Sequence, residues 1–520
     1  MKVVMLSKAM VTGPYQKKAE ELARLPGVEL TVIVPPAWQE PRVGVQKLDP
    51  QFTQGYELLV TEMRFNGHFH YHYYPAIGKI LRDLRPDVFH IDEEPFNYAT
   101  YHAMRAGQRV GARMCFFTYQ NIFKKLPPPF VNFERSVYTG TDVGVAANQA
   151  ALEVIRAKGF AKPAVVIPQF GVDPQLYQPA PPQVRPANRP PTVGYIGRLV
   201  EEKGIQVLLD AVALLRQPYR LEVIGSGYYR TELEVQAARL GIRDRIFFRN
   251  SVPSRDVPQV LSKMDMLIVP SLTRANWKEQ FGRVIIEAMA CEVPVIGSDS
   301  GEIPNVIGDA GIIVPEGDPE ALALRIWELM EDRVRRLELA ARGRQRVLRY
   351  FTQQQIALRY YHLYQAMLHG NMPYEPPPPP PVFVGPAGYQ APPTPRDGAR
   401  PMAPAQPLVS GTTSSYTRSG TNATASSTSF TPAPLPRDPI ALPDDELAYP
   451  PGYGDTPIEP IDEPLPAFDP RSAAASPIED EPEPPVPDWW PSSSLRPPRP
   501  PERPWWYDDD PPNDAVRPSR

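Results

Sequence analysis

Residues 265–304 read DMLIVPSLTRANWKEQFGRVIIEAMACEVPVIGSDSGEIP, and the order of apolar and polar residues in them decides the fold. Met266–Val269 is a short apolar run closed by Pro270 and Ser271, with the length and continuity of a strand buried on both faces. Arg283–Ala290 carries apolar residues at helical spacing, and residues 294–297 form a second short apolar run. Strand, helix and strand in this order make a βαβ unit, whose strands run parallel.

The same unit carries chemistry. A helix opening at Phe281-Gly282 directs unpaired backbone N–H groups and the positive end of its dipole at whatever lies in front, which favours phosphate. Gly282 lets that backbone approach a ligand closely. Glu279 stands before the helix and Glu287 within it, about two turns later, so two carboxylates can accept hydrogen bonds from hydroxyls on either side of a diphosphate, the sugar and the ribose. A glutamate at a helix start is also an ordinary dipole partner, and one two turns later is often solvated.

A second constellation lies upstream. Residues 192–197, TVGYIG, read as a strand, followed by the turn Arg198-Leu-Val-Glu-Glu-Lys203-Gly204 and an amphipathic helix over 205–215. Ligands of α/β sheets bind at such strand-to-helix turns. A bidentate guanidinium beside a point-charge ammonium suits a diphosphate leaving group, although basic residues in a turn are also commonly just solvated.

Together these segments resemble glycosyltransferase family 4, retaining enzymes of the GT-B fold. The matching residues are Gly197-Arg198, Lys203-Gly204, Gly225-Ser-Gly227, Pro270-Ser271, Glu279, Phe281-Gly282, Glu287-Ala-Met-Ala-Cys291, Pro294-Val-Ile296 and Gly301-Glu-Ile-Pro304. The resemblance is specific over 192–318, weaker over 1–190 and absent beyond Asn371. It implies two Rossmann-like parallel-sheet domains facing a cleft. It also implies transfer of a hexosyl unit from a nucleotide diphosphate sugar to an acceptor hydroxyl of a glycan, lipid or small molecule, with retention of configuration.

On this resemblance the catalytic residues are Arg198, Lys203 and Glu279: the two cations stabilise the departing diphosphate and Glu279 holds sugar hydroxyls. Donor binding falls to Gly197, Gly225, Gly227, Phe281, Gly282, Arg283 and Glu287, with Glu287 on the ribose, and to Gly13 and Glu93 from the first domain. Gly13 sits in the loop after the first strand, which relatives bring against diphosphate or acceptor. Glu93, within Asp92-Glu-Glu-Pro95, aligns with a histidine that faces the donor sugar in many relatives. A donor phosphate oxygen takes the acceptor proton, and neither cofactor nor metal is expected. Two other readings stay open: a sugar phosphorylase or nucleotide-sugar epimerase on the same fold, and an assembly protein with a vestigial sugar site and a partner-recruiting tail.

Composition bounds these readings. The last 150 residues hold 40 of the 69 prolines and no lysine, so they lack the aliphatic content to offset chain ordering and are expected to be disordered. Their 21 acids against 10 arginines give −11, leaving +7 for residues 1–370, a balance that suits anionic donors and anionic membrane surfaces but is too small for nucleic acid. Cys115 and Cys291, both in apolar stretches, support neither a disulfide framework nor a cysteine zinc site. No signal sequence opens the chain and no apolar run has the length of a membrane span, so the cytoplasm is the expected compartment. Lys124 and Lys125 are candidates for peripheral membrane contact, and the pairs Trp489-Trp490 and Trp505-Trp506 for a partner of the tail.

Strand-length apolar runs at 2–7, 29–34, 87–91, 112–119, 143–147 and 164–168 alternate with helical patterns at 15–25, 76–84, 97–106 and 148–157. Six prolines in 179–191 mark a stiff connector, after which the alternation restarts and ends in three helices, 319–330, 333–350 and 352–369. The expected domains are an acceptor-side domain over 1–180, a linker over 181–191, a nucleotide-sugar domain over 192–350, a helix returning to the first domain over 351–370, and the tail over 371–520. Tyr119-Gln120-Asn121 is expected to present amides to the cleft. Gly225-Ser-Gly227 lacks the third glycine of a dinucleotide site, which disfavours a dehydrogenase. Glu292 replaces the glycine that ends this helix in relatives, and a local backbone adjustment is expected there, since a left-handed non-glycine residue costs roughly 1 kcal/mol.

Overall fold

Short apolar strands separated by amphipathic helices bury both faces only as parallel sheets sandwiched by helices, and the chain builds this arrangement twice. The computed structural model describes residues 1–40, 44–180 and 189–370, all within one unit, Met1–Gln406. The connector residues 181–188 and the tail 371–520, with its tryptophan pairs, lie outside the described residues.

The first half runs β1 (Lys2–Leu6), α1 (Gly13–Ala23), β2 (Glu29–Val34), β3 (Ala37–Glu40), β4 (Gly44–Lys47), β5 (Glu57–Val60), α2 (Ile77–Leu84), β6 (Val88–Ile91), α3 (Tyr98–Val110), β7 (Arg113–Thr118), α4 (Phe130–Gly140), β8 (Val143–Ala146), α5 (Gln149–Ala157) and β9 (Ala164–Val166). Seven of these strands form a parallel sheet in the order β5-β2-β1-β6-β7-β8-β9, while β3 and β4 pair as a separate antiparallel hairpin. The hairpin, β5 and α4 add to the elements read from sequence. β5 is a half-exposed edge strand, and α4 starts directly after three prolines, so neither carries a strong periodic signal.

The second half runs β10 (Thr192–Ile196), α6 (Ile205–Ala213), β11 (Arg220–Ile224), α7 (Arg230–Arg239), β12 (Ile246–Arg249), α8 (Val257–Leu261), β13 (Met266–Val269), α9 (Arg283–Ala290), β14 (Val295–Ser298), α10 (Ile303–Ile307), β15 (Ile312–Val314), α11 (Pro319–Glu331), α12 (Arg333–Tyr350) and α13 (Gln353–His369). Its six strands are all parallel, ordered β12-β11-β10-β13-β14-β15. The helix starts follow side-chain chemistry: Asp318, Asp332 and Thr352 each accept a hydrogen bond from the backbone N–H three residues on, at 2.9, 2.8 and 3.1 Å.

Two apolar layers cover the first sheet, one of them completed by α13, whose Ile356, Tyr360, Leu363, Tyr364 and Met367 are buried among residues of β1, β2, β7 and β8. His90 of β6 is buried, and its Nδ1 lies 2.7 Å from the Tyr364 hydroxyl, which ties α13 to the sheet. Val347 and Phe351, on and just beyond α12, belong instead to the core of the second sheet. The chain therefore passes from one core to the other at Phe351-Thr352. Among the described residues, no helix is long and apolar enough to cross a membrane.

Candidate functional site

The loops at the carboxyl ends of the two sheets meet. Asn148, after β8, donates from Nδ2 to the Gln280 carbonyl at 2.7 Å, and Gln280 donates to the Tyr119 carbonyl at 3.2 Å. Asn121 donates to the Glu279 carbonyl at 3.4 Å, so this amide holds the loop before α9. Gln120 accepts from Lys158 at 2.5 Å. The amides of 119–121 thus lie at the junction of the two halves, with Asn121 and Gln120 already bonded within the protein.

Two side chains converge on the carboxylate of Glu279, which is only 6% exposed. Lys203 donates from Nζ to its Oε2 at 2.6 Å, and Ser271 donates to the same oxygen at 2.9 Å. Trp277 lies with its ring 5.0 Å from the Lys203 ammonium. Ser298 in turn donates to the Ser271 carbonyl, so β14 braces the end of β13. Gly282 takes φ 74 at the start of α9, and a Cβ there would stand 2.7 Å from Ile285 and 3.8 Å from the Glu279 side chain. The helix start is therefore a glycine by conformation and by space, and its N–H groups have no partner within the helix. Phe281 is buried against Phe170 and Phe351.

Glu287 lies one turn into α9 on a different wall. Arg283 pairs with it at 2.9 Å and Tyr177 donates to it at 3.2 Å. Burial pushes the Glu287 carboxyl up, and Arg283 and Tyr177 partly offset that. These groups line a cavity of about 390 Å³ with Tyr15, Phe170 and Arg255. Arg283 also lies 3.4 Å from the Tyr15 hydroxyl, bridging the halves. Glu302 completes the surroundings: its N–H donates to the Glu279 carbonyl at 3.1 Å, and burial raises its carboxyl to about 7, with Asn305 and Lys278 opposing.

The predicted residues divide clearly. Lys203, Glu279, Gly282, Arg283 and Glu287 gather around the start of α9. Arg198 is exposed on the loop after β10, and its carbonyl accepts from the Tyr195 hydroxyl at 2.8 Å. Gly197, Gly225 and Gly227 have a packing role: a Cβ at Gly225 would stand 1.8 Å from the Gly197 carbonyl oxygen, and one at Gly227 would stand 2.0 Å from that of Leu199. Their lack of a side chain lets the two loops lie together, with Leu199 donating to the Ser226 carbonyl at 3.0 Å. Gly13 is likewise closed in, its Cβ position 2.5 Å from the Gln51 side chain.

Glu93 lies apart from the α9 group. It is buried and ion-paired with Lys8, with His72 Nε2 3.5 Å away. Burial pushes its carboxyl up, but Lys8 and His72 outweigh that and bring it down to about 2. Its neighbours are held too: Asp92 accepts from Ser7 at 2.6 Å, and Glu94 from Thr118 and the Tyr119 N–H, both at 2.7 Å. At Glu292 the expected adjustment does not occur. The residue keeps φ 56, because the chain must still turn from α9 into the buried Val293.

Ser271, Trp277, Tyr177 and Glu302 were not assigned roles from sequence. Ser271 and Glu302 sat inside quoted motifs, whereas Trp277 and Tyr177 act through contacts that no local spacing reveals. Among the described residues, no cluster of three or more His, Cys, Asp or Glu side chains is arranged to hold a metal.

Residues 178–346 match the family model described as glycosyl transferases group 1. Among curated proteins, the GDP-mannose-dependent monoacylated alpha-(1-6)-phosphatidylinositol monomannoside mannosyltransferase of Corynebacterium glutamicum is 30% identical over 41% of this chain and 59% of its own length. The 2-deoxystreptamine glucosyltransferase of Streptomyces kanamyceticus is 27% identical over 34% of this chain and 47% of its own. The matches thus span about half of these relatives. Among solved structures, Anabaena HepE in complex with UDP superposes with a TM-score of 0.54 at 18% identity, over 70% of this chain and all of the other, which is a likeness of fold. Two parallel-sheet domains meeting at their carboxyl ends, the second of them similar over residues 178–346 to the glycosyl transferases group 1 family and carrying Lys203, Glu279 and Glu287, give this chain a GT-B fold.

Proposed function

We propose that the chain transfers a hexosyl unit from a nucleotide diphosphate sugar to an acceptor hydroxyl, with retention of configuration. The observation that carries this reading is the convergence of Lys203 and Ser271 on Glu279 in front of the α9 start, with Glu287 facing the cavity from the same helix. A diphosphate placed before α9 meets the unpaired N–H groups and the Lys203 ammonium, with Arg198 supplying a second cation from the β10 loop. Charge developing on the leaving diphosphate is stabilised there by donors already in place. Glu279 takes sugar hydroxyls, Glu287 exchanges Arg283 for the ribose, and a donor phosphate oxygen receives the acceptor proton. No step in this scheme draws on a metal or cofactor.

The relatives support a nucleotide-sugar donor in kind while differing in its identity: one is GDP-mannose-dependent, one is a glucosyltransferase, and HepE was crystallised with UDP. In this reading the enzyme works in the cytoplasm, in peripheral contact with a membrane face. The test is a thermal-shift screen of the full chain against a panel of nucleotide sugars, followed by incubation of the best donor, labelled in its sugar, with lipid, glycan and small-molecule acceptors. Native-state binding raises apparent stability by mass action. A stabilising donor whose label moves to a hydroxyl acceptor is the expected result; label found only as sugar phosphate, or in an epimerised donor, overturns the reaction class.

A further inference from the structure

The first half carries a surface that the transfer site does not use. Phe65, Phe69, Tyr71 and Phe123 are exposed by 61, 42, 49 and 49%, high values for side chains of this size. Three of them belong to one connected ridge. His70 lies 5.2 Å from Phe69, 4.8 Å from Phe130 and 5.5 Å from Phe96 by ring centroids, and Tyr71 lies 5.1 Å from Phe130. The Lys158 ammonium then sits between Phe96 and Phe123, at 5.7 and 6.0 Å.

The ridge is fastened from behind. Tyr98 donates its N–H to the His70 carbonyl at 3.0 Å, and His70 Nδ1 lies 3.2 Å from the Asn97 side-chain oxygen. Exposure of the aromatic rings is thus built into an anchored segment.

Charge identifies what the ridge fits. No Asp or Glu occurs from 63 to 82 or from 95 to 133, and these two stretches supply the whole ridge except Lys158. Lys124 and Lys125, beside Phe123, are both exposed. Lys158 itself is neutralised by Glu134 at 2.8 Å, so the free positive charge belongs to the lysine pair. Amphipathic aromatic rings flanked by lysines, with acids excluded, are the composition of a surface that sits at the headgroup level of an anionic bilayer.

We propose that Phe69, Tyr71, Phe123, Lys124 and Lys125 form a docking surface for the face of an anionic lipid bilayer. The surface adjoins the end of the first sheet: the Lys8 ammonium, which is paired with Glu93, lies 5.3 Å from the Phe69 ring. It brings the first domain to the membrane whatever the acceptor is, and lipid binding does not depend on catalysis.

The test is co-sedimentation of the full chain with vesicles of phosphatidylcholine alone and of phosphatidylcholine mixed equally with phosphatidylglycerol. The expected result is selective binding to the anionic vesicles that weakens with added salt. Lys124→Ala with Lys125→Ala lowers that partitioning roughly thirtyfold, and Tyr71→Ser with Phe123→Ser lowers it by roughly tenfold. Circular dichroism and thermal midpoint stay at the wild-type values, since all four side chains are exposed. Equal binding to both vesicle types, or variants that sediment like wild type, overturns the proposal. So does a concentration-dependent dimer, seen by ultracentrifugation, that the aromatic variant abolishes without changing vesicle binding, because the ridge is then a face for a second copy.

Discussion

The two sheets present acids at their carboxyl ends in opposite ways. After β6 three consecutive acids are held within their own domain: Asp92 by Ser7, Glu93 by Lys8 and Glu94 by Thr118 and a backbone N–H. After β13 and within α9, Glu279 and Glu287 each pair with a cation near the helix start, and the Arg283–Glu287 pair lines a cavity. The same repeated architecture thus uses carboxylates as internal fasteners on one side and, in the proposed function, as ligand groups on the other. Partner exposure sets one pair apart: Arg283 beside Glu287 is 38% exposed, whereas Lys8 beside Glu93 and Lys203 beside Glu279 are 15 and 18% exposed.

Removing Arg198 breaks the comparison most sharply. Arg198→Ala lowers the transfer rate about a hundred- to a thousandfold, with an unchanged melting midpoint because the side chain is exposed. Full activity in that variant, measured with labelled donor, removes the cationic loop from the site. Glu93→Gln acts in the other direction: it leaves Lys8 without its buried counter-charge and lowers stability by about 3 kcal/mol in denaturant unfolding, while a donor still raises the melting midpoint by the wild-type increment. Loss of donor binding without loss of stability would move Glu93 from fastener to ligand group.

A pH series sharpens the same contrast. Burial raises Glu94 to about 7, against opposing hydrogen bonds from Thr118 and Tyr119. A carboxyl raised in the folded state contributes stability that is complete below its unfolded value near 4.5 and lost as pH climbs through 7. Glu94→Gln therefore gains on the wild type between pH 5 and 8, by at most about 3 kcal/mol; a flat difference between the two unfolding curves refutes the burial argument. The smallest effect belongs to Glu292→Gly, which relieves a left-handed residue and raises stability by about 1 kcal/mol less the entropy gained by the unfolded chain.

How much of this was legible in the sequence depended on locality. β13, α9 and α12 coincide with their periodic signals residue for residue, because each is a short buried run or an amphipathic stripe with clear ends. The 35–75 segment was opaque: its hairpin is antiparallel and half exposed, and its aromatic residues are placed by contacts with α3 and α4 that lie far along the chain. The grouping around the start of α9 was visible because Glu279, Gly282 and Glu287 share one turn and one helix. The partner of Glu93 was hidden for the opposite reason: Lys8 is 85 residues away, and only the β1–β6 pairing brings it alongside. Gly225 and Gly227 read as room for a ligand, whereas the neighbour they accommodate is the 197–199 backbone.

The passage at Phe351-Thr352 bears on synthesis. The first sheet is exposed at the ribosome long before α13 exists, and its layer over β1 and β2 stays open until Tyr360, Tyr364 and Met367 emerge. The second half is contiguous and is threaded into the first as an insertion. A nascent chain released after residue 180 therefore carries an uncovered apolar bed, which makes it a substrate for chaperones, and a nick in either connector alone leaves the two halves joined by the other.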